Sequence, residues 1–264
     1  MMKIIELESW EAFCSAADEV QCKYENIPLL FRGQPNSNWC LRTTLERYSK
    51  SSWTIRKYCS LVVDCVRGLG PLDDYTGDIP SLSDIDRELA QNMTDVLVHI
   101  PASISFYWTY LRHHGFPSPL LDWTRSPYIA AFFAFCESVR AKNVAVFAFV
   151  DSINGEKHVW KGKPQITAKW LAVHPHVRHS RQQSSYTIAT KAVKNDHQFA
   201  PHAHVFREDE IDQDLLAKYV IPSAESIKAM KWLDGMGINY YSLMDDREAL
   251  LKTYALREIT FQGL

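Results

Sequence analysis

The stretch that most constrains the fold is residues 111–135, whose sequence is LRHHGFPSPLLDWTRSPYIAAFFAF. A turn rich in glycine and proline leads into a short apolar run that ends at Asp122. Ser126 and Pro127 then open a helix rich in alanine and phenylalanine, since serine is a favoured N-cap and proline a favoured first helical residue. The stretch therefore predicts a buried strand and a buried helix with polar side chains held between them.

The rest of the chain mixes helical and strand patterns without regular alternation. Apolar and β-branched patterns predict strands at 3–7, 27–34, 143–150, 185–189, 218–221 and 239–243. Helical spacing is found at 9–22, at 223–235 and at 245–257, and residues 194–210 are rich in histidine and irregular. The continuously apolar run at 143–150 is typical of a buried central strand. This mixture indicates an α+β fold.

A mostly helical segment at 39–110 interrupts the strand patterns. It predicts a helical insertion or cap that packs on the sheet within a single domain, 1–264, because the chain is long enough for one substantial core.

Composition limits the classes of partner. Lys and Arg total 29 against 31 Asp and Glu, so the net charge of −2 gives no global argument for nucleic acid or an anionic membrane, although local patches are compatible with it. The six cysteines form no CxxC pair, which favours buried, reduced thiols. We expect a cytoplasmic protein, because no signal peptide is visible and no apolar run approaches the roughly 18 residues that span a bilayer.

Arg32 and Gly33 form the first candidate site. An arginine at a strand end can bind phosphate or carboxylate through two parallel hydrogen bonds, and the glycine lets a ligand approach the backbone. The alternative is an arginine that only forms a surface salt bridge or a cap.

Asp122 is the second candidate, because a carboxylate at the end of an apolar strand is either buried and paired or faces a pocket. His113 and His114 precede it and can exchange protons near neutral pH. Thr124 and Ser126 add hydroxyl groups, although capping of the next helix is a sufficient reason for Ser126.

Histidines cluster in the second half of the chain, at positions 174, 176, 179, 197, 202 and 204. No cysteine partners and no HExxH motif accompany them, so we expect no metal site. His202 and His204 would lie on one side of a strand if that segment were extended.

Three motifs, in this order, resemble the signatures of FRG domain proteins. FRGQ at 31–34 followed by Trp39 resembles the first, the LRHHG…LLDWT…AAFFAF stretch at 111–135 the second, and the segment 178–187, RHSRQQSSYT, the third. The resemblance covers about residues 25–257. It departs from the family at Ser118 and Pro119, where family members commonly have threonine and arginine.

The resemblance implies a layout similar to ADP-ribosyltransferases, with a mixed or antiparallel central sheet and a helical insertion. It implies NAD as a substrate, bound by residues from all three motifs, namely Arg32, Gly33, Gln34, His113, Thr124, Ser126 and Gln182. Catalysis would fall to His114, Asp122 and Gln183, with glutamine where a catalytic glutamate is usual.

Three functions follow as expectations. The first is an ADP-ribosyltransferase-like enzyme or toxin that uses NAD, with a protein, a nucleic acid or a small molecule as acceptor, in bacterial or phage conflict. The second is a non-catalytic module that senses a nucleotide or NAD-like ligand in a defence or toxin–antitoxin system. The third is a metal-dependent nuclease or hydrolase that uses aspartate and histidine.

Overall fold

The computed structural model describes residues 2–69, 79–91, 100–137, 141–153, 163–169, 177–193, 196–208 and 214–263. Helices and strands occur in irregular order, and the sheet mixes parallel and antiparallel pairs, so the fold is α+β as the sequence predicts.

The described strands form one sheet in the order β1-β8-β4-β2-β3-β6-β5, with β7 also pairing with β6. They are β1 (Lys3–Glu6), β2 (Leu29–Gln34), β3 (Leu121–Thr124), β4 (Asn143–Val150), β5 (Gln165–Lys169), β6 (Ser184–Val193), β7 (Asp196–Phe199) and β8 (Leu215–Pro222). β1 runs parallel to β8, and the other pairs are antiparallel.

The helices are α1 (Trp10–Lys23), α2 (Thr44–Tyr48), α3 (Ile55–Leu69), α4 (Leu82–Gln91), α5 (Ala102–His113), α6 (Pro127–Phe135), α7 (Val177–Arg181), α8 (His202–Glu208), α9 (Ser226–Gly235), α10 (Tyr240–Met244) and α11 (Arg247–Glu258). Among the described residues, helices α2–α5 lie in the chain between β2 and β3, which are neighbours in the sheet.

The core is divided between the two faces of the sheet. On one face, α1, α6 and α9 pack against Phe31 and the alternate residues of β4 that share its side. The opposite face buries Leu30, Trp123 and Phe149. A further cluster joins α3, α4 and α5 to Tyr186 and Ile188 of β6, so the helices between β2 and β3 are anchored to the sheet.

Gly33 brings β2 and α6 into direct backbone contact. A Cβ atom at this position would lie 1.9 Å from the backbone oxygen of Ala130 and 2.6 Å from the backbone nitrogen of Ala134. The close approach of α6 is therefore a sufficient reason for glycine at this position, and the predicted approach of a ligand to its backbone stays a prediction.

Two segments differ from their predicted structure. Residues 239–243 were expected to form a strand, but Asn239 caps helix α10 by accepting from Ser242 N, and Ser242 Oγ accepts from Asn239 N in return. The region at 194–210 was expected to be irregular, yet it contains β7, which pairs with β6, and α8.

The cysteines are free thiols, as predicted, but not all of them are buried. Cys59 is buried, whereas Cys22 and Cys40 are exposed; the remaining three are partly buried. In the parts of the chain that the structure describes, no helix combines the length and apolar character needed to cross a bilayer.

Candidate functional site

A cleft of about 460 Å³ opens where β2 and β3 lie side by side. The end of α5, the turn that follows it and part of α6 complete its walls. Its charged lining residues are Arg32, Arg47, Arg112, Asp122 and Glu137. Two sequence motifs that are far apart in the chain therefore meet in one site because their strands are neighbours.

Asp122 forms an ion pair with Arg112 at the base of this cleft. Arg112 Nε donates to Asp122 Oδ1 at 2.5 Å, and Arg112 Nη2 donates to Asp122 Oδ2, so the guanidinium holds both carboxylate oxygens. The Arg112 side chain is only 11% exposed, whereas that of Asp122 is 46% exposed. The pair is thus enclosed on the arginine side and open to the cleft on the carboxylate side.

The charge state of Asp122 follows from these neighbours. Burial alone would raise its pKa, but the Arg112 guanidinium, assisted by Arg32, holds the pKa of the carboxyl below its usual value. Asp122 is therefore ionised at neutral pH.

Arg32 points into the same site from β2. Its Nη1 donates to the backbone oxygen of Asp122 at 2.7 Å, while its buried Nε has no hydrogen-bond partner among the described residues. Burial lowers the pKa of Arg32 to about 10, so the side chain stays charged at neutral pH. A buried donor without a partner costs about 1–3 kcal/mol.

Helix α2 fixes the position of Arg112. Thr44 Oγ1 accepts from Arg112 Nη1 at 3.2 Å and from Ser118 N at 2.8 Å. Tyr58 of α3 donates from its hydroxyl to the backbone oxygen of Pro117 at 2.8 Å. The turn between α5 and β3 is therefore tied to the preceding helices, which orients the ion pair.

Gln34 and Thr124 complete the inner lining of the cleft. Gln34 is 5% exposed; its Nε2 donates to Cys40 O at 3.4 Å, and its Oε1 is buried with no partner among the described residues. The hydroxyl of Thr124 accepts from Ser126 N at 3.2 Å. Ser126 does not line the cleft, because its Oγ caps α6 by accepting from Ile129 N at 3.3 Å.

The two predicted glutamines lie in different surroundings. Gln182 lines the cleft, but its amide donates to the backbone oxygen of Leu243 at 3.1 Å. Gln183 is exposed, has a left-handed backbone (φ 48°) and is not part of the lining.

The two histidines also separate. His113 lines the cleft, whereas His114 is exposed at the end of α5, with its ring 4.6 Å from that of Tyr110. The structure thus brings Arg32, Asp122, Gln182 and His113 together and leaves His114 and Gln183 outside.

Several lining residues were not among the predicted site residues, including Arg47, Arg112, Glu137, Trp39 and Tyr186. A signal for Arg112 exists in the sequence. It lies in the last turn of a helix, ten residues before Asp122, and a glycine-proline turn reverses the chain between them.

The described residues contain no group of three or more His, Cys, Asp or Glu side chains that could hold a metal ion. His202 and His204 lie on helix α8 and not on a strand, and His202 is buried with Nε2 3.0 Å from Thr187 Oγ1. Positions 174 and 176 lie outside the described residues.

Comparison with known protein families gives a match for the region that forms most of this cleft. Residues 28–143, which include Arg32, Arg112, Asp122 and Thr124, match the family described as FRG domain. No curated protein and no solved structure matches the chain. The match contains the first two of the three motifs and shows that the chain carries an FRG domain at residues 28–143, whereas the third motif, at 178–187, lies beyond the matched residues.

Proposed function

We propose that the cleft binds a phosphate-bearing nucleotide and that the protein is a nucleotide-sensing FRG module. The observation that carries the proposal is the guanidinium of Arg32, which lines the cleft and, among the described residues, donates only to the backbone oxygen of Asp122. Phosphate oxygens are the acceptors that such a group binds most strongly.

The balance of charge favours an anion. Arg112 neutralises Asp122 through two hydrogen bonds, and Arg32 donates only to a backbone oxygen. Arg47 is exposed and has no ion-pair partner among the described residues. Two positive charges therefore remain against Glu137, the second carboxylate of the lining.

The size and the aromatic rim suit a nucleotide. A volume of about 460 Å³ lies within the usual range for small-molecule sites, roughly 300–1,000 Å³. Trp39 lines the cleft and is 51% exposed, which leaves its ring accessible to a planar base. NAD belongs to this ligand class, with Arg32 and Arg47 placed to hold its phosphates and Trp39 to contact a base.

The same charges make catalysis of glycosidic cleavage the less favoured function. An oxocarbenium-like transition state needs an uncompensated negative charge, and the two nearby arginines offset that of Asp122. Two of the three predicted catalytic residues, His114 and Gln183, do not line the cleft.

ADP-ribosyl transfer remains the second candidate because of Glu137. Its carboxylate lines the cleft from the end of α6, is exposed and forms no ion pair with the described residues. This is the type of side chain that could stabilise positive charge on a ribose.

Calorimetric titration with NAD, ADP-ribose, ATP, adenosine and inorganic phosphate tests the binding proposal. We expect the phosphate-bearing nucleotides to bind and adenosine to bind at least tenfold more weakly. Arg47→Ala should weaken binding about tenfold, whereas Arg56→Ala, an exposed helical arginine paired with Asp86, should leave it unchanged. Equal binding of adenosine and ATP would refute the proposal.

Nicotinamide release from NAD separates the two functions. Binding of NAD without release supports sensing. Release that is lost in Glu137→Gln, while NAD binding is kept, would establish cleavage of NAD in its place, and ADP-ribose attached to an acceptor, in contrast to free ADP-ribose, would identify the reaction as transfer.

A further inference from the structure

A second cleft, of about 750 Å³, lies on the other side of α2. Its wall includes Arg42, Lys50 and Trp53 from the chain around α2, and His204 from α8. Arg47 lines both this cleft and the first one. The two cavities are therefore neighbours, joined at one arginine.

The second cleft is strongly basic although the whole chain is weakly acidic. Arg42, Arg47 and Lys50 are exposed, and none of them forms an ion pair with the described residues. Among the described lining residues, Glu46 is the one carboxylate. This side chain takes part in the capping box of α2, in which Glu46 Oε2 accepts from Thr43 N at 2.5 Å. The accepted hydrogen bond leaves this carboxylate charged; burial raises its pKa, and the hydrogen bond from Thr43 and the charge of Arg42 oppose that rise. Three fixed positive charges against one carboxylate leave the described lining with a net charge of +2.

Aromatic residues line this basic cleft, and one more is the chain neighbour of Arg47 on helix α2. Trp53 lines the cleft, held by a hydrogen bond from its Nε1 to Ser49 Oγ at 3.2 Å. Tyr48 follows Arg47 on helix α2 and is 81% exposed, although it lines neither cleft, and Trp39, which is 51% exposed, lines the first cleft. Exposed rings interleaved with cations are the combination by which proteins hold single strands, since each base can stack on a ring while phosphates contact the cations.

We propose that the second cleft binds the sugar–phosphate backbone of a single-stranded nucleic acid. Arg42, Arg47 and Lys50 contact successive phosphates, and the exposed rings stack on unpaired bases. An acidic peptide would satisfy the cations but would leave the rings without partners, and a duplex would hide its bases from them. The proposal does not rest on nucleotide binding in the first cleft.

The test is fluorescence anisotropy with labelled 12-nucleotide single-stranded RNA and DNA, the matching DNA duplex and polyglutamate. We expect the better of the two single strands to bind at least tenfold more tightly than duplex or polyglutamate at 50 mM salt. Whichever of the single-stranded RNA and DNA binds more tightly shows whether the cleft prefers ribose or deoxyribose. Either preference supports the proposal.

The double variant Arg42→Ala/Lys50→Ala should weaken binding at least tenfold. It should also reduce the slope of log affinity against log salt by about 1.4, since each phosphate contact to a single strand contributes roughly 0.7. Tyr48→Ala should weaken binding several-fold at an unchanged salt slope. Arg87→Ala/Lys252→Ala is the control, because it removes the same charge from residues that line neither cleft.

Circular dichroism and urea unfolding verify that each variant is folded. Failure of the wild type to bind either strand, equal weakening by the control, or binding of polyglutamate as tight as that of the strands would each overturn the proposal. Because Arg42 and Lys50 do not line the first cleft, nucleotide titration of this double variant distinguishes failure here from failure of the proposed nucleotide site.

Discussion

The carboxylate of Asp122 is held at both oxygens by Arg112 and still faces open space. Its partner is almost completely buried, so the arginine depends on this carboxylate for compensation of its charge. Breaking an ion pair by removing one member leaves the other charge unsatisfied, which costs more than the pair contributes.

Asp122→Asn is therefore expected to lower the free energy of unfolding by about 2 kcal/mol. The loss is smaller than the roughly 3–5 kcal/mol of a fully buried pair, because solvent reaches the carboxylate through the cleft. Urea unfolding at pH 7 measures it. Asp86→Asn removes one member of the exposed pair with Arg56, whose side chains are both 48% exposed, and should cost less than about 1 kcal/mol. Equal costs would show that Asp122 is not the compensating charge.

His202 predicts a dependence of stability on pH. Burial lowers its pKa from 6.5 to about 3. As the pH falls below about 6.5 the unfolded chain binds a proton that the folded chain does not, so stability decreases until the pH reaches the folded pKa. The contribution to the slope is at most about 1.4 kcal/mol per pH unit.

Unfolding free energies at pH 7 and pH 5 provide the measurement. His202→Gln should show a smaller decrease than the wild type, because this variant has no imidazole to protonate. His204→Gln, at an exposed position on the same helix, should behave as the wild type does. An unchanged pH dependence in His202→Gln would contradict the assignment.

At the scale of elements, β2 and α6 are packed without space for one additional carbon. Gly33→Ala places a Cβ atom against the backbone of Ala130, which cannot rotate away as a side chain can. We expect a loss of about 3 kcal/mol, at the upper end for overpacked positions.

Thermal and urea unfolding test this expectation, with Gly68→Ala as the matched control. Gly68 lies in α3, and an added Cβ would meet nothing within 4 Å. That variant should gain about 0.5–1 kcal/mol from the better helix propensity of alanine. A Gly33→Ala protein as stable as the wild type would mean that α6 does not approach β2 this closely.

Elements with strong local signals could be predicted from the sequence. The apolar run of β4 and the Ser126-Pro127 start of α6 are determined by neighbouring residues, and both are confirmed. The segment at 239–243 was misread because its two adjacent tyrosines favour a strand, while the decisive contacts are the reciprocal bonds of the Asn239 cap. Strand β7 depends on pairing with β6, which no local pattern of residues reports.

At the scale of the whole molecule, the candidate site depends on sheet order. Arg32 and Asp122 could be selected from sequence because each stands in an unusual local context. Their contact required β2 and β3 to be neighbours although helices α2–α5 lie between them in the described part of the chain. Arg112 was overlooked for the same reason, since its role appears only when the turn after α5 folds back onto β3. Sequence reasoning thus identified some of the residues of the site but could not predict that they lie in contact.

The position of Arg47 on the border of both clefts ties their affinities together. One guanidinium cannot give its full charge to two anions at once, so a nucleotide in the first cleft and a strand in the second should oppose each other. Thermodynamic linkage requires the two effects to be equal: the factor by which the nucleotide weakens the strand is the factor by which the strand weakens the nucleotide. Through this one side chain, a ligand bound in one cleft would lower the affinity of the other cleft for its own ligand.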